Sequence, residues 1–225
     1  MTDEVRIVAY DLDETLVKLK FECIEKILNK THKSLGIRLP NELEKKMIWY
    51  SPKREGILSN NFHAEINNYF NTLYKYYTVK NIKNYVSVFP DVASLKKIKN
   101  LGRKIGILTS THPEIADYEI NLVKKFLGNN IIDETVIIQE HDIKNKPHSD
   151  GLVLLLEKLG MDIENERAFL VGDTDLDILT ANNAVKLHDI NVESVLVDRK
   201  HNQEGIIELR PGYRLKTLDQ VECYI

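Results

Sequence analysis

The sequence predicts an α/β protein in which a parallel sheet lies between two layers of helices, with a small helical domain inserted into this core. From about residue 85 onward, short apolar runs alternate with segments of helical periodicity, which is the pattern of parallel βαβ units. The first 17 residues contain one run of the same kind, whereas residues 18–84 show helical periodicity throughout. We therefore predict a core of residues 1–17 and 85–225 and a helical insertion of residues 18–84.

The first predicted strand ends in two carboxylates. Five of the six residues from Val5 to Tyr10 are apolar or aromatic, which indicates a strand buried on both faces of a parallel sheet. Asp11 and Asp13 follow it directly. In open parallel sheets, ligands bind at the carboxyl ends of the strands, so chemistry is expected at these two acids.

The insertion is predicted to be a small helical bundle. Apolar and aromatic residues recur at helical spacing in three series: Val17, Phe21, Ile24 and Leu28; Leu43, Met47 and Tyr50; Ile66, Phe70, Leu73 and Tyr77. Its many aromatic residues are compatible with a base-stacking surface, but packing of the bundle, with some rings covering a site, is favoured. A loop from Ser51 to Gly56 carries two adjacent cations, Lys53 and Arg54.

The remaining core strands deliver further polar residues to the same edge of the sheet. The run KIGILT ends at Thr109 and Ser110, the run AFLVG is followed by Asp173, Asp175 and Asp177, and a polar loop between them contains Lys146. Further strands are predicted at TVIIQ and SVLVD, and the C-terminal tail is expected to close one sheet edge.

Composition excludes several classes of function. The 31 basic and 34 acidic residues give a net charge of −3, so no overall field favours nucleic acid or an anionic membrane. The two cysteines are far apart in sequence, which favours reduced thiols over a disulfide framework. No apolar run approaches the length of a membrane span. We expect a cytoplasmic protein.

Taken together, these motifs resemble those of the haloacid dehalogenase superfamily, whose core is Rossmann-like. The matching residues are Asp11-Leu12-Asp13-Glu14-Thr15, then Thr109, then Lys146-Pro147, and finally Gly172-Asp173-Thr174-Asp175-Leu176-Asp177. The helical insertion is similar to the cap of the phosphoglycolate-phosphatase-like branch. The resemblance implies a phosphatase with a helical cap.

The residue types favour Mg²⁺ as the cofactor. If Asp11, Asp13, Asp173 and Asp177 converge, any two of them about 4 Å apart repel by about 4 kcal/mol at an effective dielectric constant of about 20, so a cation must hold them. An all-oxygen site next to a phosphate suits Mg²⁺, whereas zinc would require His or Cys. Lys146 supplies a second positive charge.

The resemblance also implies a role for each residue. Asp11 would attack phosphorus to form an aspartyl-phosphate, and Asp13 would act as general acid and base while its backbone carbonyl binds Mg²⁺. Asp173 would be a carboxylate ligand, Asp177 would orient a water on the metal, and Thr109 and Lys146 would contact the phosphoryl group. Asp175 has no such role and is expected to make only a favourable contact with the helix dipole.

The sequence departs from the branch in two positions and leaves alternatives open. Glu14 stands where glycine is usual, and Lys18 stands where an acid is frequent, so the turn geometry of the first motif is an open question. Other chemistry of the superfamily (phosphomutase, phosphonatase or dehalogenase) is the first alternative, although a dehalogenase needs no acid at Asp13. A non-catalytic phosphometabolite-binding protein on the same fold is the second.

The expected substrate is a small phosphorylated metabolite, with neither nucleic acid nor membrane as a partner. Ser110 is a candidate for substrate contact beside the phosphoryl group. Lys53 and Arg54 are candidates for binding a second anionic group, because Lys146 is occupied by the transferring phosphoryl group. A monomer or a homodimer is expected.

Overall fold

The computed structural model describes residues 5–51, 53–199 and 209–225. The strands in this part of the chain are β1 (Val5–Tyr10), β2 (Val17–Leu19), β3 (Val86–Val88), β4 (Lys104–Thr109), β5 (Glu134–Ile137), β6 (Arg167–Gly172), β7 (Val192–Val197) and β8 (Tyr213–Leu215). Its α-helices are α1 (Phe21–Ser34), α2 (Glu42–Tyr50), α3 (Arg54–Phe62), α4 (Ile66–Tyr74), α5 (Val79–Ile82), α6 (Leu95–Asn100), α7 (Pro113–Leu127), α8 (Asp150–Lys158) and α9 (Asp175–His188). Short 3-10 helices cover Pro90–Ser94, Ile138–Glu140 and Leu218–Cys223.

The main sheet has six parallel strands in the order β5-β4-β1-β6-β7-β8. The chain runs outward from β1 through β4 to β5, and then returns to the other side of β1 to form β6. This reversal at β1 creates the crevice in which open α/β sheets bind ligands. The predicted α/β class is confirmed, and β8 in the C-terminal tail closes one edge of the sheet, as expected.

Helices cover both faces of this sheet. Because side chains alternate along a strand, Val8 and Tyr10 of β1 face one cluster of buried residues and Ile7 and Ala9 face another. Helices α6 and α7 and the C-terminal 3-10 helix supply the first cluster, and α8 and α9 supply the second. The two clusters make the three-layer core that the alternating pattern predicted.

The inserted helices build a third buried cluster, to which α7 contributes Ile115. The strands β2 and β3 pair antiparallel at the two ends of the insertion. The insertion therefore leaves and re-enters the core at one place. The domain boundaries at residues 17 and 85 remain a prediction.

Three details differ from the sequence expectations. Residues from Arg54 onward form α3, so the predicted loop from Ser51 to Gly56 is shorter than expected. The change of pattern at Val86 begins with β3, which lies outside the parallel sheet. The apolar spacing and Gly102 predict a helix from Asp91 to Leu101, whereas the structure has a 3-10 turn followed by α6. In each case the local periodicity indicated the correct region, but contacts with the rest of the fold determined the type and the bounds of the element.

Within the described ranges, every helix is too short or too polar to cross a bilayer.

Candidate active site

Three neighbouring strands end at one point of the sheet edge. Asp11 follows β1, Thr109 is the last residue of β4, and Asp173 follows β6. The backbone N–H of Asp11 donates to the carbonyl of Val171, at 2.8 Å, which ties the end of β1 to β6. The order of the strands thus brings together acids that are about 160 residues apart in sequence.

A lysine lies among three carboxylates at this edge. One oxygen each from Asp11, Asp173 and Asp177 lie within 4.8 Å of one another. The Lys146 Nζ donates to Asp11 Oδ1 at 2.6 Å and to Asp177 Oδ1 at 2.8 Å, and the lysine side chain is only 4% exposed. Lys144, the alternative in the same loop, is exposed.

This arrangement perturbs the pKa of both partners. Burial raises the pKa of Asp11 well above its usual range, and the neighbouring acids add to the shift while Lys146 opposes it. Burial alone would lower the pKa of Lys146, but the attraction of Asp11 and Asp177 outweighs it and raises that pKa. The lysine therefore stays charged, and it is the cation that partly neutralises the cluster.

Local structure fixes the two acids that follow β6. Asp177 accepts hydrogen bonds at Oδ2 from the backbone N–H and the hydroxyl of Thr174, at 3.2 and 2.8 Å, in a capping box at the start of α9. Its other oxygen faces Lys146. A side chain at Gly172 would collide with Asp177, since a Cβ there would lie 2.2 Å from the carboxyl carbon. Asp173 accepts from the Thr15 hydroxyl at 3.2 Å.

Asp175 lies apart from this group. It accepts a hydrogen bond from the backbone N–H of Leu209, at 3.1 Å, in the first turn of α9.

Asp13 is held on the other side of the crevice. The Thr111 hydroxyl donates to its Oδ2, and the Tyr77 hydroxyl from the insertion donates to its Oδ1 at 3.4 Å. Burial raises the pKa of Asp13, while hydrogen bonds from Thr111 and Glu119 oppose the shift. Burial and the nearby charge of Asp13 raise the pKa of Glu119 well above its usual range.

Tyr77, Thr111 and Glu119 were not among the sequence candidates. The helical spacing places Tyr77 in the core of the bundle, and Thr111 is two residues beyond the hydroxyl that the motif marks. Glu119 had a detectable signal, because it lies on α7 between the buried residues Ile115 and Val123, one helical turn from each. An acid on the apolar stripe of a helix requires a partner inside the protein.

The structure shows how Glu14 replaces the glycine that is usual at this position. Its φ is +58°, in the left-handed region that glycine adopts most easily. The side chain is buried and accepts a hydrogen bond from the backbone N–H of Leu19 at 3.2 Å. Burial raises its pKa to about 8. The turn of the first motif therefore forms with glutamate, at a backbone cost of about 1 kcal/mol.

The two hydroxyls at the end of β4 lie in the same crevice. Thr109 is buried, and its hydroxyl accepts a hydrogen bond from the backbone N–H of Thr111 at 3.1 Å. The Ser110 hydroxyl is buried without a hydrogen-bond partner among the described residues. An unpaired buried hydroxyl at a crevice is available to a ligand.

A cavity of about 190 Å³ separates these groups from the insertion. Arg54 lines its far wall, together with rings from α2 and α4, whereas Lys53 is exposed and does not line it. Within the described part of the chain, the Arg54 side chain makes no hydrogen bond or ion pair. Burial lowers its pKa, but an arginine stays protonated in proteins. Of the two cations suggested for the substrate, only Arg54 reaches the cavity.

The site has the chemistry of a hard-cation centre. Its side chains offer carboxylate oxygens, which suit Mg²⁺, and the cluster contains no histidine or cysteine. The carboxylate of Asp13 is occupied by Thr111, Tyr77 and Glu119, so its side chain is not part of the cluster. Three acids with one lysine beside them leave a negative charge that a divalent cation can balance.

The parallel sheet carries an acid cluster, a lysine and a hydroxyl at the ends of its central strands, and an inserted helical bundle covers this edge. This arrangement indicates an α/β enzyme that acts on phosphate esters. The family profile described as haloacid dehalogenase-like hydrolase matches residues 8–187. The chain belongs to the haloacid dehalogenase-like hydrolases, and its assignment as a phosphatase enzyme of this family is confirmed.

Individual proteins of known class are also similar to the chain. A putative pyrophosphatase PpaX from Clostridium perfringens is 29% identical over 184 residues, which cover 80% of each chain. Among solved structures, a putative phosphoglycolate phosphatase from Lactobacillus plantarum has a TM-score of 0.74 at 15% identity, over 98% of this chain and 99% of that one. A haloacid dehalogenase-like hydrolase from Streptococcus pneumoniae has a TM-score of 0.71 at 20% identity, over 100% and 99%. These two structures share the fold with this chain.

Proposed function

We propose that this protein is a Mg²⁺-dependent phosphatase that hydrolyses a small phosphomonoester through an aspartyl-phosphate on Asp11. The observation that carries the proposal is the contact of buried Lys146 with both Asp11 and Asp177, next to Asp173. Phosphoryl transfer requires an aligned nucleophile and neutralisation of the phosphoryl oxygens, and this group of residues supplies both.

Asp11, Asp173 and the backbone carbonyl of Asp13 would hold the Mg²⁺ ion, with Asp177 beside it. When bound, the ion supplies positive charge to the phosphoryl oxygens. Side chains of the protein orient the nucleophile and bind the phosphoryl group. Lys146 orients the Asp11 carboxylate and adds a second positive charge. The Thr109 and Ser110 hydroxyls lie where a phosphoryl oxygen can receive hydrogen bonds.

Two proton transfers fall to Asp13. In the first step an Asp11 oxygen bonds to phosphorus, the bond to the leaving oxygen breaks, and that oxygen takes its electron pair and a proton from Asp13. In the second step the Asp13 carboxylate takes a proton from water, which attacks phosphorus and releases Asp11. Burial raises the pKa of Asp13, which is the direction of change that a general acid requires.

Arg54 supports a substrate with a second anionic group. It is the formal cation on the insertion side of the cavity, opposite Lys146. A guanidinium can bind a carboxylate in bidentate fashion, with more directional contacts than an ammonium group. Lys53 is withdrawn as a candidate because it is exposed outside the cavity. A cytoplasmic location and a monomeric or homodimeric state remain predictions.

The test is release of inorganic phosphate from a panel of small phosphomonoesters and pyrophosphate, with Mg²⁺ and with EDTA. We expect turnover with Mg²⁺, loss of turnover in EDTA, and recovery when Mg²⁺ is restored. The Asp11→Asn variant is the matched control, since the amide is nearly isosteric but a poor nucleophile. Full turnover in EDTA would refute the metal assignment. Substantial turnover by Asp11→Asn would show that Asp11 is not the nucleophile.

A further inference from the structure

The insertion side of the cavity is aromatic and carries little charge. It contributes eight residues, of which five are aromatic and one, Arg54, carries a formal charge. The sheet side of the same cavity carries several acids and Lys146. The leaving group of a substrate whose phosphate lies at the sheet edge must therefore lie against rings.

These rings are arranged as a lining and do not simply fill the core. Trp49 packs edge-on against Tyr77 with centroids 5.2 Å apart, and Tyr74 lies 5.2 Å from the His112 ring. Trp49, Tyr74 and His112 are each only partly buried, so part of each ring surface faces the cavity. Ring surfaces of this kind bind planar or apolar groups by edge-to-face or offset stacking.

The size of the cavity limits what can enter. An engineered cavity of about 150 Å³ lined by apolar residues holds benzene, and this cavity is about 190 Å³. The space is suited to one six-membered ring beside a phosphoryl group.

The low charge of the insertion side of the cavity also disfavours pyrophosphate as a substrate. If pyrophosphate reacted here, the leaving phosphate would carry more than one negative charge into a wall with one guanidinium. Arg54 can pair with a single carboxylate, but a phosphate that loses water there has too few partners. A ring loses little on leaving water and gains the contacts with Tyr74 and Trp49.

We infer that the substrate of this site is a phosphomonoester of an alcohol that carries one six-membered aromatic ring, and not pyrophosphate. The inference rests on the proposed phosphatase function and adds the class of leaving group to it. The ring lies against Tyr74 and Trp49 while the phosphate lies between Lys146 and Ser110.

Binding can be tested without catalysis. Trp49 is the single tryptophan of the chain, and it lines the cavity, so its fluorescence reports on a bound ligand. The probes are phenethylphosphonate and propylphosphonate, the non-hydrolysable analogues of benzyl phosphate and ethyl phosphate, each titrated into the full chain with Mg²⁺. We expect the aromatic probe to bind about 30-fold more tightly, as expected for one ring buried among aromatic side chains.

Variants separate the aromatic wall from general effects. Tyr74→Leu removes a ring from the wall, and we expect the preference for the aromatic probe to fall below about threefold. Phe70→Leu gives a second test of the same wall if Tyr74→Leu does not fold. Tyr76→Leu is the matched control, because Tyr76 lies in the same segment but contacts Ser34 and Lys30 outside the cavity. It should keep the full preference.

Hydrolysis distinguishes this inference from the proposed function. Benzyl phosphate and ethyl phosphate have leaving alcohols of similar basicity, so their kcat/KM ratio reports on the contacts of the ring, and we expect it to be about 30 as well. Equal binding of the two probes, or a kcat/KM for pyrophosphate above that for benzyl phosphate, would overturn the inference. Failure to hydrolyse any ester with Mg²⁺ would instead overturn the proposed function.

Discussion

Replacement of Lys146 by methionine should destabilise the protein most when Mg²⁺ is absent. The Lys146 Nζ contacts two carboxylates, at 2.6 and 2.8 Å, and is nearly inaccessible to solvent. Removal of one partner of a buried ion pair costs about 3–5 kcal/mol, because a charge is left without compensation. Two unit charges 4.8 Å apart, the limit that the carboxylate cluster sets, repel by about 3.5 kcal/mol at an effective dielectric constant of about 20. From both figures we expect the free energy of unfolding to fall by about 3 kcal/mol.

The free energy of unfolding in urea, measured in EDTA and then with Mg²⁺, checks this magnitude. We expect Mg²⁺ to stabilise Lys146→Met more than the wild type, since the lysine no longer repels the ion and the acids have no other cation. Lys144→Met is the matched control from the same loop, and as an exposed substitution it should change stability by less than about 0.5 kcal/mol. Equal effects of the two variants, or no loss in Lys146→Met, would refute the role of Lys146 in neutralising the cluster.

Three further predictions concern the acid, the cavity and a buried histidine. Asp13→Asn should keep part of its kcat/KM, which reports on the first step, for nitrophenyl phosphate, whose leaving group needs little protonation, and lose far more for alkyl esters; equal losses of kcat/KM for the two esters would argue against the acid role. Arg54→Ala should lower kcat/KM for a substrate with a second anion by about 10-fold to 100-fold, as for a charged hydrogen bond, while nitrophenyl phosphate is hydrolysed nearly as before; proportional losses would contradict the assignment. Burial lowers the pKa of His32, which contacts Arg38 and Tyr69. The unfolded chain therefore binds more protons below about pH 6.5, and the free energy of unfolding should fall on acidification. His32→Gln should lose this part of the pH dependence in urea titrations, and an unchanged slope would contradict it.

The strand ends were predictable because parallel strands deliver their carboxyl ends to one edge. A buried apolar run followed by Asp11, and a second followed by Asp173, suffices to place both acids in the same crevice. Asp177 was predictable from the motif after β6, and its hydrogen bonds with Thr174 explain the spacing of that motif. These features depend on local sequence and on one topological rule.

The residues that the sequence did not reveal are those that depend on tertiary contacts. Helix α3 contains Gly56, Asn60 and Asn61, which are weak helix formers, and burial of Leu58 and Phe62 in the insertion stabilises it instead. The approach of Tyr77 to Asp13 joins the insertion to the core across 64 residues of sequence. Pattern and spacing carry no information about such a contact.

The most direct test of the central claim is covalent labelling of Asp11. Asp13→Asn should accumulate the phosphorylated enzyme with a phosphorus-labelled aryl phosphate, because the second step lacks its base. After an acid quench, we expect about one label per chain, lost on treatment with hydroxylamine and located by mass spectrometry in the peptide that contains Asp11. Label on another residue, or turnover of the aryl ester by this variant with no labelled protein at any time, would show that Asp11 is not the nucleophile.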